Sequence, residues 1–322
     1  MSVIVIDKFG GISEAHLELD DRYGQIKLPE GNDPIVVSLG WPAEGLYDVF
    51  TGHAYDVESS GQKRGGRTLT IIAWGHDQLT TKIKEQARWS LGDGTEDVKL
   101  GDAMEKAAGI AGVSVHIDPL LKNSTRKYWL GNNESFQAFG QRIADEHGGI
   151  FKISGKQASL TMADSFNNAE GRAMSNTIAE AGKNLIAWHV SPQIARPQFA
   201  NIQHMHFDPM QAKWLIQKSL SQGLSKADFT GVGAQADKDT AKQQADSDAI
   251  ASRAERGKGW VVIDGSPTSV AGGQLTIIGA RPGVDGTNYR IIEVEHNYSP
   301  HQGYTTRCDF NLLGSSKSEE IH

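Results

Sequence analysis

The 322-residue sequence predicts a β-rich α+β protein in which two antiparallel β-barrel domains flank a small inserted α+β domain. Three observations favour this fold. Short runs of alternating apolar and polar residues fill both ends of the chain, and strands at such regular spacing are typical of barrels and sandwiches. A stretch near the middle, residues 130–164, carries a helix signal followed by a hairpin signal. Short motifs from the first part recur in the last part.

The first β-rich part covers residues 1–90. Its predicted strands are 16–19, 25–28, 35–39, 47–55 and 67–74. Turn-forming segments separate these strands, among them PEGNDP at 29–34 and SSG at 59–61. We therefore expect residues 1–90 to form the first barrel domain.

Residues 91–164 are predicted to form the inserted α+β domain. Apolar residues at helical spacing indicate one helix over 100–111, and the asparagine pair at 132–133 is suited to cap a second. The apolar stripe of this second helix is Phe136, Phe139 and Ile143. The glycine pair at 148–149 ends it, and alternation on either side of Gly155-Lys156 predicts a hairpin.

The last β-rich part follows a polar segment. Residues 165–183 have no clear period and predict a linker, and residues 184–314 predict the second barrel domain. Within that domain, 234–256 is an alanine-rich helix with a thin apolar face, suited to cover a barrel or a neighbouring subunit. Residues 217–233 are expected to be mobile, and the tail 315–322 is expected to be disordered.

A weak internal repeat connects the two β-rich parts. The first part has Gly45-Leu-Tyr47, His53-Ala-Tyr55 and Thr68-Leu-Thr70, and the last part has Gly286-Thr-Asn-Tyr289, His296-Asn-Tyr298 and Thr305-Thr306. Because the spacings differ, chance stays open as an explanation beside the duplication of one barrel.

Composition excludes several classes of protein. The formal net charge of −7 argues against tight nucleic-acid binding, which needs clustered Lys and Arg. The single cysteine, Cys308, excludes an intrachain disulfide and a cysteine-based zinc cluster. The absence of an 18-residue apolar run and of a signal-peptide pattern leads us to expect a soluble protein without a membrane anchor.

One pattern resembles a metal site. On a strand, the period of two places His204, His206 and Asp208 on one face, where three N and O ligands suit zinc with an open position. This is the enzyme alternative, a metal-dependent hydrolase. The competing interpretation is ordinary polar alternation on a solvent-facing strand, because no other motif supplies a general base.

The remaining candidates for chemistry favour structural roles. Arg142, Asp145, Glu146 and His147 lie on the polar side of the second predicted helix, where a solvated face is the simpler interpretation. Cys308 on a predicted strand is a packed small apolar residue rather than a nucleophile. Glycine-rich segments lack the spacing of a phosphate-binding loop. We predict no catalytic residue, no metal and no cofactor.

Motifs from all three parts occur together in a characteristic order. They are LGW at 39–41, GLYDVFTG at 45–52, LTIIA at 69–73, LGD at 100–102, NESF at 133–136, RIA at 142–144, HGG at 147–149, GGQL at 272–275, GTNY at 286–289, IEVEH at 292–296 and GYTT at 303–306. Together they resemble the late control D protein family. These are the tail or baseplate hub proteins of contractile-tailed bacteriophages, related to the hub portion of type VI VgrG spikes.

The resemblance covers about residues 17–313 and implies a structural, non-enzymatic protein. It implies a homotrimer whose chains each carry two tube-like barrels and form a pseudo-sixfold ring. Such a ring joins a hexameric tail tube to a trimeric central spike, beside other baseplate proteins, and the phage DNA passes through it without specific binding. The protein is then made in the host bacterial cytoplasm and resides in the virion. The hub of a tailocin or of a type VI-like spike is the alternative within this class.

The acidic composition fits that role. A negatively charged wall repels phosphate, so DNA would not adhere to the channel. The position of the acidic side chains at the lumen is an expectation of the resemblance.

Overall fold

The structure is a computed structural model that describes residues 1–63, 66–75, 88–163, 172–191, 199–221, 227–254 and 257–312. Strands dominate it, and the prediction of a β-rich α+β fold is confirmed. The expected disordered tail, 315–322, lies outside the described residues, as do residues 165–171 of the expected linker.

The first lobe, residues 2–74, is an antiparallel sheet. Its strands are β1 (Ser2–Lys8), β2 (Glu14–Asp20), β3 (Pro34–Trp41), β4 (Gly45–Gln62) and β5 (Gly66–Trp74). They are ordered β1-β2-β5-β4-β3. Alternate residues point inward, and Val5, Ala15 and Ala73 are fully buried between them. The predicted strand at 25–28 is wrong, because this segment is a loop that begins at the turn held by Asp21.

The insert, residues 88–162, has its own core of two helices against small sheets. Its elements are β6 (Arg88–Leu91), β7 (Val98–Lys99), α1 (Leu100–Ala111), β8 (Ser114–Ile117), α2 (Pro119–Lys122), β9 (Thr125–Arg126), β10 (Trp129–Asn132), α3 (Phe136–His147), β11 (Gly149–Ser154) and β12 (Gln157–Met162). The predicted stripe Phe136, Phe139 and Ile143 is buried in this core. Ser135, rather than the asparagine pair, caps α3, because its hydroxyl accepts from the Ala138 N–H at 3.1 Å.

The second lobe resumes after the insert. Its strands are β13 (Asn176–Glu180), β14 (Leu185–Ser191), β18 (Lys258–Asp264), β19 (Gln274–Ile278), β20 (Asn288–Ser299) and β21 (Gly303–Leu312). They are ordered β14-β18-β21-β20-β19-β13 around a sealed apolar core that includes Ile277, Ile291 and Phe310. Strand β13 lies inside the segment predicted to be a linker, where Ala179 is fully buried and pairs with Ile277.

An accessory unit interrupts the second lobe. It consists of β15 (Asn201–Asp208), β16 (Lys213–Leu220), β17 (Asp228–Gln235) and α4 (Lys238–Ala254), with sheet order β16-β15-β17. The thin alanine face of α4 was predicted correctly, since Ala241, Ala245 and Ala249 are fully buried, but it covers this small sheet. Within the segment expected to be mobile, the described residues 217–220 and 228–233 are strand.

The two lobes form one continuous sheet. Strand β1 pairs antiparallel with the second half of β20, from Val3 opposite Tyr298 to Lys8 opposite Glu293. The combined sheet has eleven strands. This β1–β20 pairing, the intrachain joint, fixes the position of one lobe relative to the other.

Candidate interaction surfaces

The predicted metal ligands have other partners. His204 and His206 are buried on the inner face of β15, and the His204 Nε2 lies 2.8 Å from Asp248 Oδ2 on α4. The Asp208 carboxylate instead accepts hydrogen bonds from the backbone of Met210 and Gln211, at 2.9 and 3.2 Å, and so closes a turn. Among the described residues, no group of three or more His, Cys, Asp or Glu side chains is placed to hold a metal ion. This arrangement does not favour the hydrolase.

The polar side of α3 is an ion-pair network. Arg142 lies 2.6 Å from Glu134 and 3.2 Å from Glu146, and Arg126 lies 2.8 Å from Glu146 on the other side. These three carboxylate–guanidinium contacts link β9, α3 and the segment that joins β10 to α3. Asp145 accepts from Gln141 one turn earlier, at 2.8 Å.

His147 is a packed side chain at the end of α3. Burial lowers its pKa to about 4, with the Arg126 charge acting in the same direction. Its neutral ring donates from Nδ1 to the Ile143 carbonyl oxygen at 2.9 Å and accepts from the Ser124 hydroxyl at 3.3 Å. Both nitrogens are therefore satisfied inside the fold. In the second lobe, burial raises the pKa of the Cys308 thiol to about 12, so this thiol is not a ready nucleophile.

The two lobes repeat one topology. With β13 left out of the count, the strands of each lobe run first-second-fifth-fourth-third along the sheet: β1-β2-β5-β4-β3 and β14-β18-β21-β20-β19. Every neighbouring pair in both series is antiparallel. Strand β4 therefore corresponds to β20, β5 to β21, and β1 to β14. The weak sequence repeat agrees with this correspondence only at the level of whole strands, because its members lie on or just before corresponding strands.

Local details strengthen the repeat and fix its alignment. The pairing of β4 with β5 shifts by one residue after Ala54, and the pairing of β20 with β21 shifts by one residue after Ile291. A preceding turn holds each of these residues through two backbone bonds. Ala54 accepts from Asn32 and donates to Asp33 at 2.9 and 2.8 Å, and Ile291 accepts from Gly272 and donates to Gly273 at 2.8 and 3.0 Å.

Both turns also use the left-handed backbone region, at φ 76° for Asn32 and 91° for Gly272. Ala54 therefore aligns with Ile291, and DVE at 56–58 aligns with EVE at 293–295. A shared bulge, shared turn and shared strand order indicate that the lobes are two copies of one unit.

The two copies differ at their outer edges. In the second lobe, β19 and then β1 cover the edge of β20. In the first lobe, β3 covers only residues 45–53 of β4, and no strand of the described chain pairs with this edge at residues 56–62. Residues 58–62 are exposed, whereas their counterparts 295–299 are buried or half-buried. Strand β14 likewise has one open edge, and Ile186 and Trp188 beside it are exposed.

The accessory sheet shows the opposite arrangement, with guarded edges and a bare face. Lys242 on α4 donates to the Lys218 carbonyl of edge strand β16 at 3.0 Å, and the register of β17 shifts near Gly231. Its outer face carries exposed apolar side chains, which are Phe207, Trp214, Ile216 and Val232. Open edges therefore belong to the lobes rather than to this unit.

A half-buried carboxylate fastens the intrachain joint. Asp7 on β1 lies 2.5 Å from Lys152 of the insert, and accepts from Ser13 of the first lobe at 2.7 Å and from the Ala271 N–H of the second lobe at 2.9 Å. Burial alone raises the pKa of Asp7, but the Lys152 charge and these hydrogen bonds outweigh it and hold the pKa below its usual value.

Solved structures of tail proteins share this fold. A 43 kDa tail protein of prophage MuSo2 from Shewanella oneidensis has a TM-score of 0.71 at 12% identity, covering 97% of this chain and 94% of that one. A tail protein from Neisseria meningitidis MC58 has a TM-score of 0.67 at 12% identity, covering 97% and 92%. The Escherichia coli c3393 protein, a type VI secretion component described as similar to T4 tail proteins gp27 and gp5, has a TM-score of 0.62 at 8% identity, covering 98% and 74%.

No protein-family model and no curated protein sequence matches the chain. In the part of the chain that the structure describes, no helix is long and apolar enough to cross a membrane. At these identities the structural matches establish the fold alone, and that fold is the one found in tail proteins of phages and prophages.

Proposed function

We propose that this protein is a structural tail hub, a homotrimeric ring that adapts a sixfold tail tube to a threefold central spike. The observation that carries the proposal is the duplicated lobe. Two copies of one unit, joined edge to edge in one chain, allow three chains to present six equivalent lobes. Six lobes match a hexameric tube, while the insert and the accessory unit occur once per chain and keep the threefold symmetry a spike requires.

The structural matches support this class of function. Tail proteins with the same fold cover nearly the whole chain, and a type VI component with the fold is described as similar to tail proteins of phage T4. The hub of a tailocin or of a type VI-like spike is built on the same ring and is the alternative role. The proposed partners are the tail tube protein, the central spike protein and other baseplate proteins, and the proposed location is the virion.

No described feature requires catalysis for this role. The candidate catalytic groups on α3 are held in ion pairs and hydrogen bonds, and the histidines of β15 face α4. In a phage, DNA crosses the ring without specific binding, and the net charge of −7 favours weak adhesion.

The mass of the purified protein tests the ring. Three copies of the 34.9 kDa chain give a particle of about 105 kDa, and negative-stain images of it viewed along its axis are expected to show six similar lobes. Mass photometry over a concentration series measures the first, and class averages measure the second. A chain that stays monomeric at high concentration and when mixed with tube and spike proteins contradicts the hub.

A further inference from the structure

The duplicated lobes show what covers an open edge. In one chain, β1 is the first strand of its lobe, and it pairs with the second half of β20, the fourth strand of the other lobe. The corresponding first strand of the second lobe is β14, and the corresponding fourth strand of the first lobe is β4. Both have an unpaired edge in the described chain, and the two edges are the counterparts of the pair already formed.

We propose that β14 of one chain pairs antiparallel with residues 58–62 of β4 in the next chain, as β1 pairs with β20 within a chain. The inference rests on the proposed ring and names the strands that close it. Each chain offers one such strand and one such edge, so contacts run head to tail, and in the proposed trimeric ring they close after three chains. Closure leaves neither edge free to recruit other strands.

The intrachain joint also fixes the register. Val3 lies opposite Tyr298 and Val5 lies opposite His296 in the β1–β20 pair. Ladder pairs align β14 with β1: Val3 pairs with Leu17, which pairs with Ile71, and Trp188 pairs with Val261, which pairs with Cys308, the counterpart of Ile71. Trp188 therefore lies opposite Gly61 of the next chain, and Val190 lies opposite Ser59.

Size complementarity agrees with this register. In the intrachain joint a small valine faces a large tyrosine, and in the proposed joint a large tryptophan faces a glycine. Trp188 is 37% exposed in the isolated chain, whereas its counterpart Val3 is 3% exposed under β20. Pairing with the next chain buries Trp188 on the inner face as β20 buries Val3.

Engineered disulfides test the register. Directly opposite residues of an antiparallel pair have Cα atoms about 4.5–5.5 Å apart, within the range a disulfide spans. The double variant Ser59→Cys with Val190→Cys is therefore expected to oxidise into covalent dimers and trimers on a non-reducing gel. The matched control is Ser59→Cys with Ser191→Cys, whose side chains point to opposite faces of the sheet. It is expected to give only the background of the single variants, because the native Cys308 is fully buried.

Unmodified protein gives a second measurement. Hydrogen exchange at residues 58–62 and 187–191 is expected to slow in the trimer relative to the dilute monomer. A trimer that shows neither this protection nor selective cross-linking overturns the strand pairing and leaves the ring standing. A protein that never exceeds the monomer mass overturns the ring itself, so the two failures are distinguishable.

Discussion

The two lobes are the same unit in two different situations. Strand order, bulge and turn agree, yet β1 and β19 seal the edge of β20, whereas half of the β4 edge is open. The edge of β19 is also covered, by β13, while the corresponding edge of β3 carries the exposed side chain of Val36. Since the sequences fold alike, the difference lies in the neighbour each lobe has. The covered edge of β20 in the second lobe therefore shows how the edge of β4 in the first lobe would be covered by a neighbouring chain.

The intrachain joint has a fastener beyond its strand pairing. Asp7 bonds to the insert and to both lobes, and these contacts do not depend on another chain. The position of the second lobe that corresponds to Asp7 is Pro192, which has no carboxylate. The joint within a chain is thus expected to be permanent, while a joint between chains forms and dissociates with concentration.

Removing Asp7 is expected to have the largest effect on this comparison. Asp7→Ala leaves the Lys152 ammonium without its carboxylate in a mostly buried site and leaves the Ser13 and Ala271 donors without an acceptor. Breaking such a pair from one side costs about 3 kcal/mol, the lower end for buried pairs, because both side chains keep some contact with water. Urea unfolding measures the decrease in the free energy of unfolding. If the two lobes unfold separately in this variant, the curve is expected to show two transitions.

Two controls separate the ion pair from the packing around it. Ser13→Ala removes one neutral hydrogen bond and is expected to cost about 1 kcal/mol. Asp7→Asn retains the shape. Because the folded pKa of Asp7 lies below its usual value of 3.8, the ionic stabilisation is present above that value and disappears as the pH falls through the folded pKa. Equal losses for Asp7→Ala and Ser13→Ala contradict the fastening role.

The sealed edge is also expected to make stability depend on pH. His296 lies on β20, opposite Val5 of β1. Burial lowers its pKa to about 4, and its Nδ1 accepts a hydrogen bond from the Tyr304 hydroxyl at 2.9 Å. The corresponding residue of the open lobe is Ser59. The unfolded histidine binds a proton below about pH 6.5 and the folded one does not, so its contribution is complete above that pH. The contribution of His296 to the free energy of unfolding is lost as the pH falls from 6.5 to about 4, at up to about 1.4 kcal/mol per pH unit.

A substitution isolates this contribution. His147 of the insert has its pKa lowered to about 4 as well, so the wild type loses stability from two histidines in one window. His296→Asn is expected to remove about half of the slope between pH 6.5 and 4.5, measured from urea midpoints. The exposed His301 provides the control, His301→Asn, with the slope unchanged. If His296→Asn leaves the pH dependence of the free energy of unfolding unaltered, then His296 is not shielded from water and the edge of β20 is not sealed.

Short-range sequence patterns predicted the helix and hairpin of the insert well, but they did not predict the pairing of strands between the two lobes. The apolar stripe of α3 and the glycines that follow it lie within 20 residues, so period and capping identify the helix and hairpin. The repeat of Gly45 and His53 at Gly286 and His296 lies on or just before corresponding strands, but its residues do not align, because the shared bulge aligns His296 with Ser59. The pairing of β1 with β20 joins residues nearly 300 positions apart, and no local pattern encodes such a register.

Polar composition concealed other elements. Strand β13 lies in a segment without an apolar run, and it forms because alternate residues, Thr177 and Ala179, are buried against β19. Period two correctly placed His204 and His206 on one face of β15. Their actual environment is α4, and the carboxylate at His204 is Asp248, 44 residues away rather than four. The carboxylate partner that was predicted for His204 from the nearby sequence is instead supplied by a residue that is distant in sequence and close in space.

The smallest expected effect concerns the turns that support the two bulges. Asn32 and Gly272 hold the same left-handed conformation and make the same backbone hydrogen bond. A side chain at 272 would place its Cβ 2.5 Å from the Phe9 ring, whereas Asn32 already carries a side chain. Gly272→Asn is therefore expected to cost about 1–2 kcal/mol through overpacking. Asn32→Gly is expected to change stability by less than about 0.5 kcal/mol, because relief of the left-handed backbone offsets the entropy gained by the unfolded chain. Urea unfolding of both variants measures the asymmetry. Equal costs would mean that the turns are not constrained by their neighbours, and that β1 with its following Phe9 is not packed closely against the second lobe.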